Sequence, residues 1–358
     1  MRAFVHNIPS SRVVFGMGSL GHLERELQFL GCRRALVLST PGQRPLAQGI
    51  ADRLGSLAVG VFPRAIMHVP RESADSARDE ASRLNADCII AAGGGSTIGL
   101  AKAIALTSGL PIMAVPTTYA GSEMTPIFGI TEGGTKRTGR ELRVLPRTTI
   151  YDPGLTLALP VAISVTSGMN AIAHAAEGLY ARDKSPVTDL MAEEGIKALA
   201  SALPALRRNG SDTDARTDAL YGAWLCGTVL GSVGMALHHK LCHVLGGSFN
   251  LPHAEVHTVV LPQAIAFNAT AAPEAMRILE RALGASAGVS AAAALFDLAH
   301  DNGAPVALRD IGMKMGDLDR AADLASESPY WNPRQIGADQ RGVIRQLLQD
   351  AHDGVRPS

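Results

Sequence analysis

The chain has 358 residues, with 33 Lys and Arg against 33 Asp and Glu, so its formal net charge is zero. This length suits about two domains, and the neutral balance argues against general nucleic-acid binding, which needs a basic excess. Charged residues are only 18% and apolar residues 46%, which argues against long disordered tails. The sequence has no run of about 18 apolar residues, the length that could span a bilayer. The N-terminus also lacks the apolar segment of a signal peptide. We therefore expect a soluble, cytoplasmic protein.

The first 150 residues alternate apolar strands with amphipathic helices. Such strands, apolar nearly throughout and separated by helices, are buried on both faces and predict a parallel sheet covered by helices. Residues 127–150 differ, because they hold short strands and a hairpin rich in Gly and Arg. The strands are predicted at 12–15, 34–39, 59–62, 87–92 and 111–115, and the helices at 19–30, 43–55, 72–85 and 97–107.

Strand patterns end near Leu155, and helical periodicity with Gly, Pro or Asn punctuation follows. The sequence therefore predicts an α/β domain at 1–154 and an all-helical domain at 155–358. The helices of the second domain are predicted at 160–180, 187–206, 214–231 and 290–302.

Residues 16–21 match the pattern G-x-G-x-x-G after a strand and before a helix. The dinucleotide fingerprint also requires an acidic residue about 20 positions further on, for the ribose hydroxyls. The end of the next strand offers Ser39 and Thr40 instead. We therefore favour a tight turn with close helix packing over a pyrophosphate site.

Gly93, Gly94, Gly95 and Ser96 leave a buried strand and enter a helix. Successive glycines let backbone N–H groups approach an anion, and the helix N-terminus adds a partial positive charge. A plain strand-to-helix turn needs less freedom, so this motif favours phosphate binding. It predicts that the first domain is a Rossmann-like, dinucleotide-binding domain.

Six histidines of the helical half stand out. His239 and His243 are four residues apart, as are His253 and His257, so each pair shares a helical face. Buried imidazoles need polar partners, so such a dense group indicates a catalytic or metal site, and helical His pairs suit zinc or another transition metal. No acidic ligand is evident, although Glu177 is nearby in sequence. The six are His174, His238, His239, His243, His253 and His257.

Four motifs occur in one order: GGGS at 93–96, PTTYAGSE at 116–123, SGMNAIAHAAE at 167–177, and H-x3-H-x9-H at 239–253. Together they resemble the iron-containing (group III) alcohol dehydrogenases, whose fold also includes glycerol dehydrogenase and dehydroquinate synthase. The resemblance covers nearly the whole chain. It implies an N-terminal dinucleotide domain, a C-terminal helical domain, a site in the cleft between them and a homodimer.

By position, the resemblance implies Asn170, His174, His239 and His253 as metal ligands. Metal-dependent relatives have Asp where this chain has Asn170, so the lost negative charge predicts weaker binding of iron or zinc, or no metal at all. His243 falls on the histidine near the nicotinamide. The implied catalytic residues are therefore His174, His239, His243 and His253.

The implied cofactor is NADH or NADPH. Thr117 and Thr118 resemble the threonines that line the nicotinamide side, and Lys136 resembles a lysine at the ribose. Ser39 and Thr40 stand where an Asp would repel a 2′-phosphate, so both cofactors are expected. The complete implied set is Ser39, Thr40, Gly93, Gly94, Gly95, Ser96, Thr117, Thr118, Ser122 and Lys136.

The segments at 39–43, 136–140 and 330–334 resemble one branch of the family, which reduces the C=C bond of an unsaturated keto dicarboxylate in aromatic-ring degradation. Two carboxylates need cationic partners, and Arg suits a bidentate grip. Each candidate cation could instead lie in a solvated hairpin or a packed loop, and the sequence leaves this open. The candidate substrate-binding residues are Arg137, Arg140, Lys240, Tyr330 and Arg334.

Three other functions fit parts of the pattern. One is a metal-dependent alcohol or polyol dehydrogenase of the same family, and another is a lyase like dehydroquinate synthase. Asn170 counts against both, because each uses an acidic metal ligand. The third is a nucleotide-binding protein without catalysis, which leaves the histidine cluster unexplained.

Overall fold

The computed structural model describes residues 4–133, 135–327, 329–336 and 340–358, without the side chains of residues 135 and 136. The chain forms two compact units. One is Ile8–Leu159, and the other is Pro160–Ser358 together with the described residues before Ile8. Within the described part of the chain, no single helix has the length and apolar character to cross a membrane, although one pair bent by 97° passes by length and composition alone.

The first unit is built on a six-stranded, fully parallel sheet with the order β1-β8-β5-β4-β2-β3. Its strands are β1 (Arg12–Phe15), β2 (Ala35–Leu38), β3 (Ala58–Phe62), β4 (Cys88–Gly93), β5 (Ile112–Pro116) and β8 (Thr148–Tyr151). The helices are α1 (Leu23–Leu30), α2 (Arg44–Leu54), α3 (Arg71–Arg83) and α4 (Gly95–Ser108). A separate antiparallel hairpin consists of β6 (Ile127–Glu132) and β7 (Thr135–Arg140).

Apolar side chains of the central strands alternate between two cores. Ile89 and Ala91 of β4 join one cluster, whereas Cys88, Ile90 and Ala92 join the other. A strand whose side chains enter a core on each face of the sheet must be apolar at every position. These strands therefore lack a polar–apolar alternation. The predicted parallel sheet covered by helices is confirmed.

The order of the strands reverses between β2 and β4. The chain passes from β2 outward to β3, then returns to β4 on the other side of β2. Ligands of open α/β sheets bind beyond the carboxyl ends of the strands at such a reversal. Ser39 follows β2 there, and Gly93 ends β4.

The first glycine motif is a turn closed by a carboxylate of the same chain. The backbone N–H groups of Gly18 and Leu20 donate to the two Asp152 oxygens, both at 3.0 Å. Gly18 has a φ of 78°, a conformation that favours glycine. These N–H groups already have an acceptor, which supports the turn interpretation over a phosphate site.

The second unit is helical. Its helices are α5 (Val161–Gly178), α6 (Pro186–Arg208), α7 (Thr213–Ser232), α8 (Leu237–Phe249), α9 (His253–Asn268), α10 (Pro273–Leu283), α11 (Ala291–Asp301), α12 (Leu318–Ser326) and α13 (Arg341–Asp353). From Ser164 to Gly178, every residue of α5 is buried, and α9 is buried from Val256 to Ile265. A helix that is buried all round lies in the centre of its unit. Side chains on α5 and α9 are therefore shielded from bulk water.

Candidate functional site

The glycine motif at 93–96 forms a cradle that admits no side chain at its centre. Gly93 has a φ of 156°. A Cβ atom built on Gly94 would lie 2.8 Å from the Thr118 hydroxyl oxygen, closer than real Cβ contacts. The backbone of this loop therefore approaches Thr118 as only glycine allows, and α4 begins directly behind it at Gly95. This geometry is suited to a phosphate at a helix N-terminus.

Hydrogen bonds connect the ends of three strands around this loop. The Thr117 N–H donates to the Gly93 carbonyl at 3.3 Å. The Gln43 amide donates to the Thr117 hydroxyl at 2.7 Å. Ser39 is fully buried, and Thr40 is partly exposed beside it. The structure thus brings the predicted residues of β2, β4 and β5 to one edge of the sheet.

The two other predicted cofactor residues differ in what the structure shows. Ser122 lies in a short 3₁₀ turn after Gly121. The backbone of Lys136 pairs with Thr131 in the β6–β7 hairpin, whereas its side chain lies outside the described residues.

The helical unit collects the predicted histidines in one buried cluster. Nδ1 of His174 lies 2.9 Å from Nε2 of His239. The His257 ring centroid is 4.9 Å from that of His239 and 4.3 Å from that of His253. Helices α5, α8 and α9 each supply part of this cluster, so residues far apart in sequence meet in one place.

Glu177 takes a position that the sequence did not reveal. Its carboxylate accepts hydrogen bonds from the backbone N–H groups of Ala236 at 2.9 Å and His238 at 2.8 Å. These groups belong to the first turn of α8, whose N–H groups have no partner within the helix. Glu177 also accepts from Nδ1 of His239 at 2.7 Å. The carboxylate therefore caps α8 and fixes the orientation of the His239 ring.

Burial disfavours the protonated form of three of these imidazoles. It lowers the pKa of His238 to about 3, and it lowers the pKa values of His239 and His257 well below their usual range. Burial also raises the pKa of Glu177, against the opposing effects of His238 and the backbone N–H donors. Neutral imidazoles retain a lone pair, which can bind a metal or accept a proton.

The donor atoms of this cluster fit a divalent transition metal. One ligand nitrogen from each of His174, His239 and His257 lies within 4.8 Å of the other two. Neither ring nitrogen of His257 makes a hydrogen bond to a described residue, although both are buried. Three imidazoles are a known catalytic zinc donor set. Asn170, one turn before His174 on α5, is buried, and its amide carries no charge.

The sequence selected His253 rather than His257 as the ligand from α9. The structure places the two rings in contact, with centroids 4.3 Å apart, and brings a ring nitrogen of His257 within 4.8 Å of those of His174 and His239. Their spacing of four residues on one helix was visible in the sequence. The spacing alone could not show which of the two rings faces α5 and α8. The role of His253 stays a prediction.

His243 and Tyr330 form a hydrogen-bonded pair at the partly exposed side of the cluster. Nδ1 of His243 lies 2.9 Å from the Tyr330 hydroxyl oxygen. The Lys240 ammonium lies 6.0 Å from the centroid of the Tyr330 ring. The structure thus brings three of the predicted catalytic and substrate residues together.

Three arginines were also predicted to bind the substrate. The Arg334 guanidinium stacks on Phe267 at 4.2 Å from the ring centroid and donates to the Phe267 carbonyl at 3.3 Å. Arg137 and Arg140 are exposed on the β6–β7 hairpin. Their part in substrate binding stays a prediction.

Comparison with known proteins agrees with the fold. The profile of iron-containing alcohol dehydrogenase matches residues 9–153, and that of the C-terminal part of the Fe-containing alcohol dehydrogenase family matches residues 164–352. A maleylacetate reductase from Burkholderia cepacia is 61% identical over 358 residues, covering 100% of both chains. A crystal structure of a maleylacetate reductase from Agrobacterium tumefaciens has a TM-score of 0.94 at 52% identity. A crystal structure of a putative alcohol dehydrogenase from Ralstonia eutropha JMP134 has a TM-score of 0.98 at 63% identity. Each match covers 100% of both chains.

The parallel sheet with its glycine cradle and the helices with their histidine cluster define an oxidoreductase of the α/β plus all-helical class. More particularly, the chain belongs to the iron-containing alcohol dehydrogenase family. The family assignment made from the motifs is therefore confirmed.

Proposed function

We propose that this protein is a maleylacetate reductase, which uses NADH or NADPH to reduce the C=C bond of maleylacetate and gives 3-oxoadipate. The observation that carries the proposal is 61% identity over the full length of a maleylacetate reductase. The glycine cradle and the buried imidazoles supply the two parts that such a reaction needs. The cradle suits the cofactor phosphates, and the imidazoles suit proton transfer and charge stabilisation.

The chemistry follows from conjugation between the C=C bond and the ketone of maleylacetate. Hydride from the nicotinamide adds to the alkene carbon β to the ketone. The electron pair of the double bond moves toward the ketone oxygen, which becomes an enolate. A proton then adds to the α carbon, so one hydride and one proton are consumed per turnover. Catalysis requires hydrogen-bond donors at the enolate oxygen and a proton source.

His243 is the proposed proton donor. The Tyr330 hydroxyl can donate to Nδ1 of His243 across their 2.9 Å contact. Nε2 then carries the ring proton, which would pass to the α carbon of the enolate while the Tyr330 hydroxyl proton moves to Nδ1, so that the imidazole stays neutral. Tyr330 thus selects the tautomer that this role requires.

A divalent metal, when bound, would supply a Lewis acid for the ketone oxygen. His174, His239 and His257 would hold it according to the nitrogen positions, and His253 according to the family pattern. We infer that the reductase works without it, because an enolate is delocalised and needs less concentrated positive charge than an alkoxide. Asn170 is consistent with this inference, since an amide does not compensate a dication.

The two carboxylates of the substrate would be bound by cations close to Tyr330 or on the β6–β7 hairpin. Lys240 is the candidate that the structure places beside Tyr330. Arg137, Arg140 and Arg334 complete the proposed set. A homodimer and a cytoplasmic location, both expected from the sequence, belong to the same proposal.

We also infer that the enzyme accepts both NADH and NADPH. Ser39 and Thr40 follow β2, the strand end at which an acidic side chain would repel a 2′-phosphate. Both residues are uncharged, so neither cofactor is excluded by charge.

The test is oxidation of NADH by the purified protein with maleylacetate, and in parallel with a panel of small aldehydes and ketones. We expect turnover with maleylacetate and a kcat/KM at least about a hundredfold lower for the simple carbonyl compounds, since they lack both carboxylates. Preferred turnover of simple carbonyls, stimulated by Zn²⁺ or Fe²⁺, would instead establish a metal-dependent alcohol dehydrogenase. The three clustered imidazole nitrogens favour that second function.

A further inference from the structure

Lys102 of α4 is buried beneath the segment that follows β5. Its side chain is 1% exposed. The ammonium nitrogen contacts the carbonyl oxygens of Ser122, Thr125 and Ile127 at 2.7, 2.8 and 2.8 Å. It also contacts the hydroxyls of Ser122 at 3.3 Å and Thr125 at 2.8 Å. Three carbonyl acceptors use all three protons of an ammonium, so Lys102 has no donor left for a cofactor phosphate.

A buried carboxylate accompanies this cation. Glu123 is fully buried in the same segment, and one of its oxygens accepts from the Tyr151 hydroxyl at 2.8 Å. Burial lowers the pKa of Lys102 to about 7, and the charge of Glu123 opposes that shift. Placing two ionisable groups in an apolar interior is costly. The contacts show what Lys102 gains there, because it holds the backbone of a 3₁₀ turn, of Thr125 and of the first residue of β6 in one place.

The same segment leads back to the glycine cradle. Thr117 donates to the Gly93 carbonyl, and the Thr118 side chain packs against Gly94. Helix α4 starts at Gly95, and Lys102 lies two turns further along it. One helix therefore carries the glycine loop at its first turn and holds the far end of the facing segment at its third turn.

We propose that Lys102 is a positioning residue of the cofactor site, which holds residues 122–127 on α4 and so sets the separation between the glycine loop and the segment 117–122. The proposal rests on the proposed function only in that the bound cofactor is NADH or NADPH. Lys102 acts through backbone that it holds and does not itself contact the cofactor.

The experiment measures binding of NADH to the full chain by the change in NADH fluorescence. Lys102→Met keeps the length of the side chain and removes every donor, and we expect its Kd for NADH to rise about tenfold or more. Thr125→Val keeps the shape and removes one acceptor, so a smaller rise is expected. Because both changes act on one set of hydrogen bonds, the double variant should bind NADH about as Lys102→Met does.

The matched control is Ile104→Ala, which destabilises the core packing of the same helix and leaves the Lys102 contacts in place. Its Kd for NADH should stay within about twofold of the wild type, and the KM for maleylacetate should stay within about twofold in all three single variants. These readouts separate positioning of the cofactor site from a general loss of stability.

Two results would overturn the proposal: a folded Lys102→Met that binds NADH like the wild type, or an Ile104→Ala that weakens NADH binding as much. If Lys102→Met does not fold, the contrast between Thr125→Val and Ile104→Ala decides, and equal effects would reject the proposal. A wild type that binds NADH without reducing maleylacetate contradicts the proposed substrate and leaves this test intact. If the wild type binds neither NADH nor NADPH, both the proposed function and the role of Lys102 are rejected.

Discussion

The chemistry of the histidine cluster depends on which ring nitrogen of each residue carries a proton. Glu177 accepts from Nδ1 of His239, so the lone pair of that ring is on Nε2, which faces His174. A carboxylate that orients an imidazole in this way also raises its basicity. The helical cluster therefore obtains negative charge from Glu177, one step removed from the position that Asn170 leaves uncharged.

Glu177→Gln tests this role. The amide keeps the shape, but it offers one acceptor oxygen where the carboxylate serves three backbone N–H groups and the His239 ring. We expect kcat to fall about 10–100-fold, as for other residues that orient a catalytic imidazole. The control is Glu26→Gln, another buried carboxylate, which pairs with Arg12 and should leave kcat unchanged. Equal kcat values in both variants would exclude an orienting role for Glu177.

His243→Ala tests the proposed proton donor. Removal of the imidazole should lower kcat about 10²–10⁴-fold, the usual contribution of a general acid, and should change the KM for maleylacetate little. The exposed His300, which pairs with Asp301 on α11, provides the control as His300→Ala. Steady-state kinetics give both constants, and near-normal kcat in the His243 variant would remove it from the mechanism.

At the scale of elements, the α/β unit was readable because each central strand is a short apolar run. Residues 12–15 coincide with β1, and the predicted strand at 59–62 differs from β3 by one residue. Helix ends were predicted less well. The run at 19–30 begins as a 3₁₀ turn and becomes α-helical only at Leu23, because Gly18 and Gly21 fix the turn before it.

The histidine-bearing helices were harder to delimit from sequence. Helix α9 is buried on nearly all sides and therefore has no apolar stripe to mark it. The glycine motif was located correctly at the carboxyl end of β4, but the position of Glu177 was not predicted. Its partners lie about 60 residues away at the start of α8, and long-range capping leaves no periodic signal in the sequence.

The buried lysine of α4 predicts a pH effect on stability. Its pKa is about 7 in the folded chain and about 10.4 when unfolded, so between these values the unfolded chain binds more protons. Stability therefore rises with pH across this window, by at most about 1.4 kcal/mol per pH unit. In Lys102→Met this gain is absent. Glu123 also lacks the cation that favours its ionised form, so the stability of the variant falls further behind that of the wild type as the pH rises.

Chemical denaturation of the wild type and Lys102→Met at pH 7, 8 and 9 measures this effect. The difference in free energy of unfolding, wild type minus variant, should increase at each step. Parallel curves for the two proteins would show that Lys102 keeps its ordinary pKa in the folded chain.

At the scale of the whole molecule, each unit carries one of the two parts of the proposed site. The α/β unit holds the glycine cradle at the reversal of strand order, and the helical unit holds the imidazoles. The formal net charge is zero, so the net charge gives no attraction for a dianionic substrate. In the proposed reaction, recognition of the two carboxylates would come from local cations such as Lys240.

Metal removal tests whether the assembled enzyme needs a Lewis acid. We expect chelator-treated protein to reduce maleylacetate at a rate within about threefold of the untreated enzyme, because neutral donors suffice for a delocalised enolate. Asn170→Asp should restore one negative charge beside the imidazoles and tighten Zn²⁺ binding by about tenfold or more, since paired charge strongly favours a buried dication. Calorimetric titration with Zn²⁺ and elemental analysis measure both. Stoichiometric metal in the untreated enzyme, lost together with activity and regained with Zn²⁺ or Fe²⁺, would instead show that the imidazoles act as metal ligands in turnover.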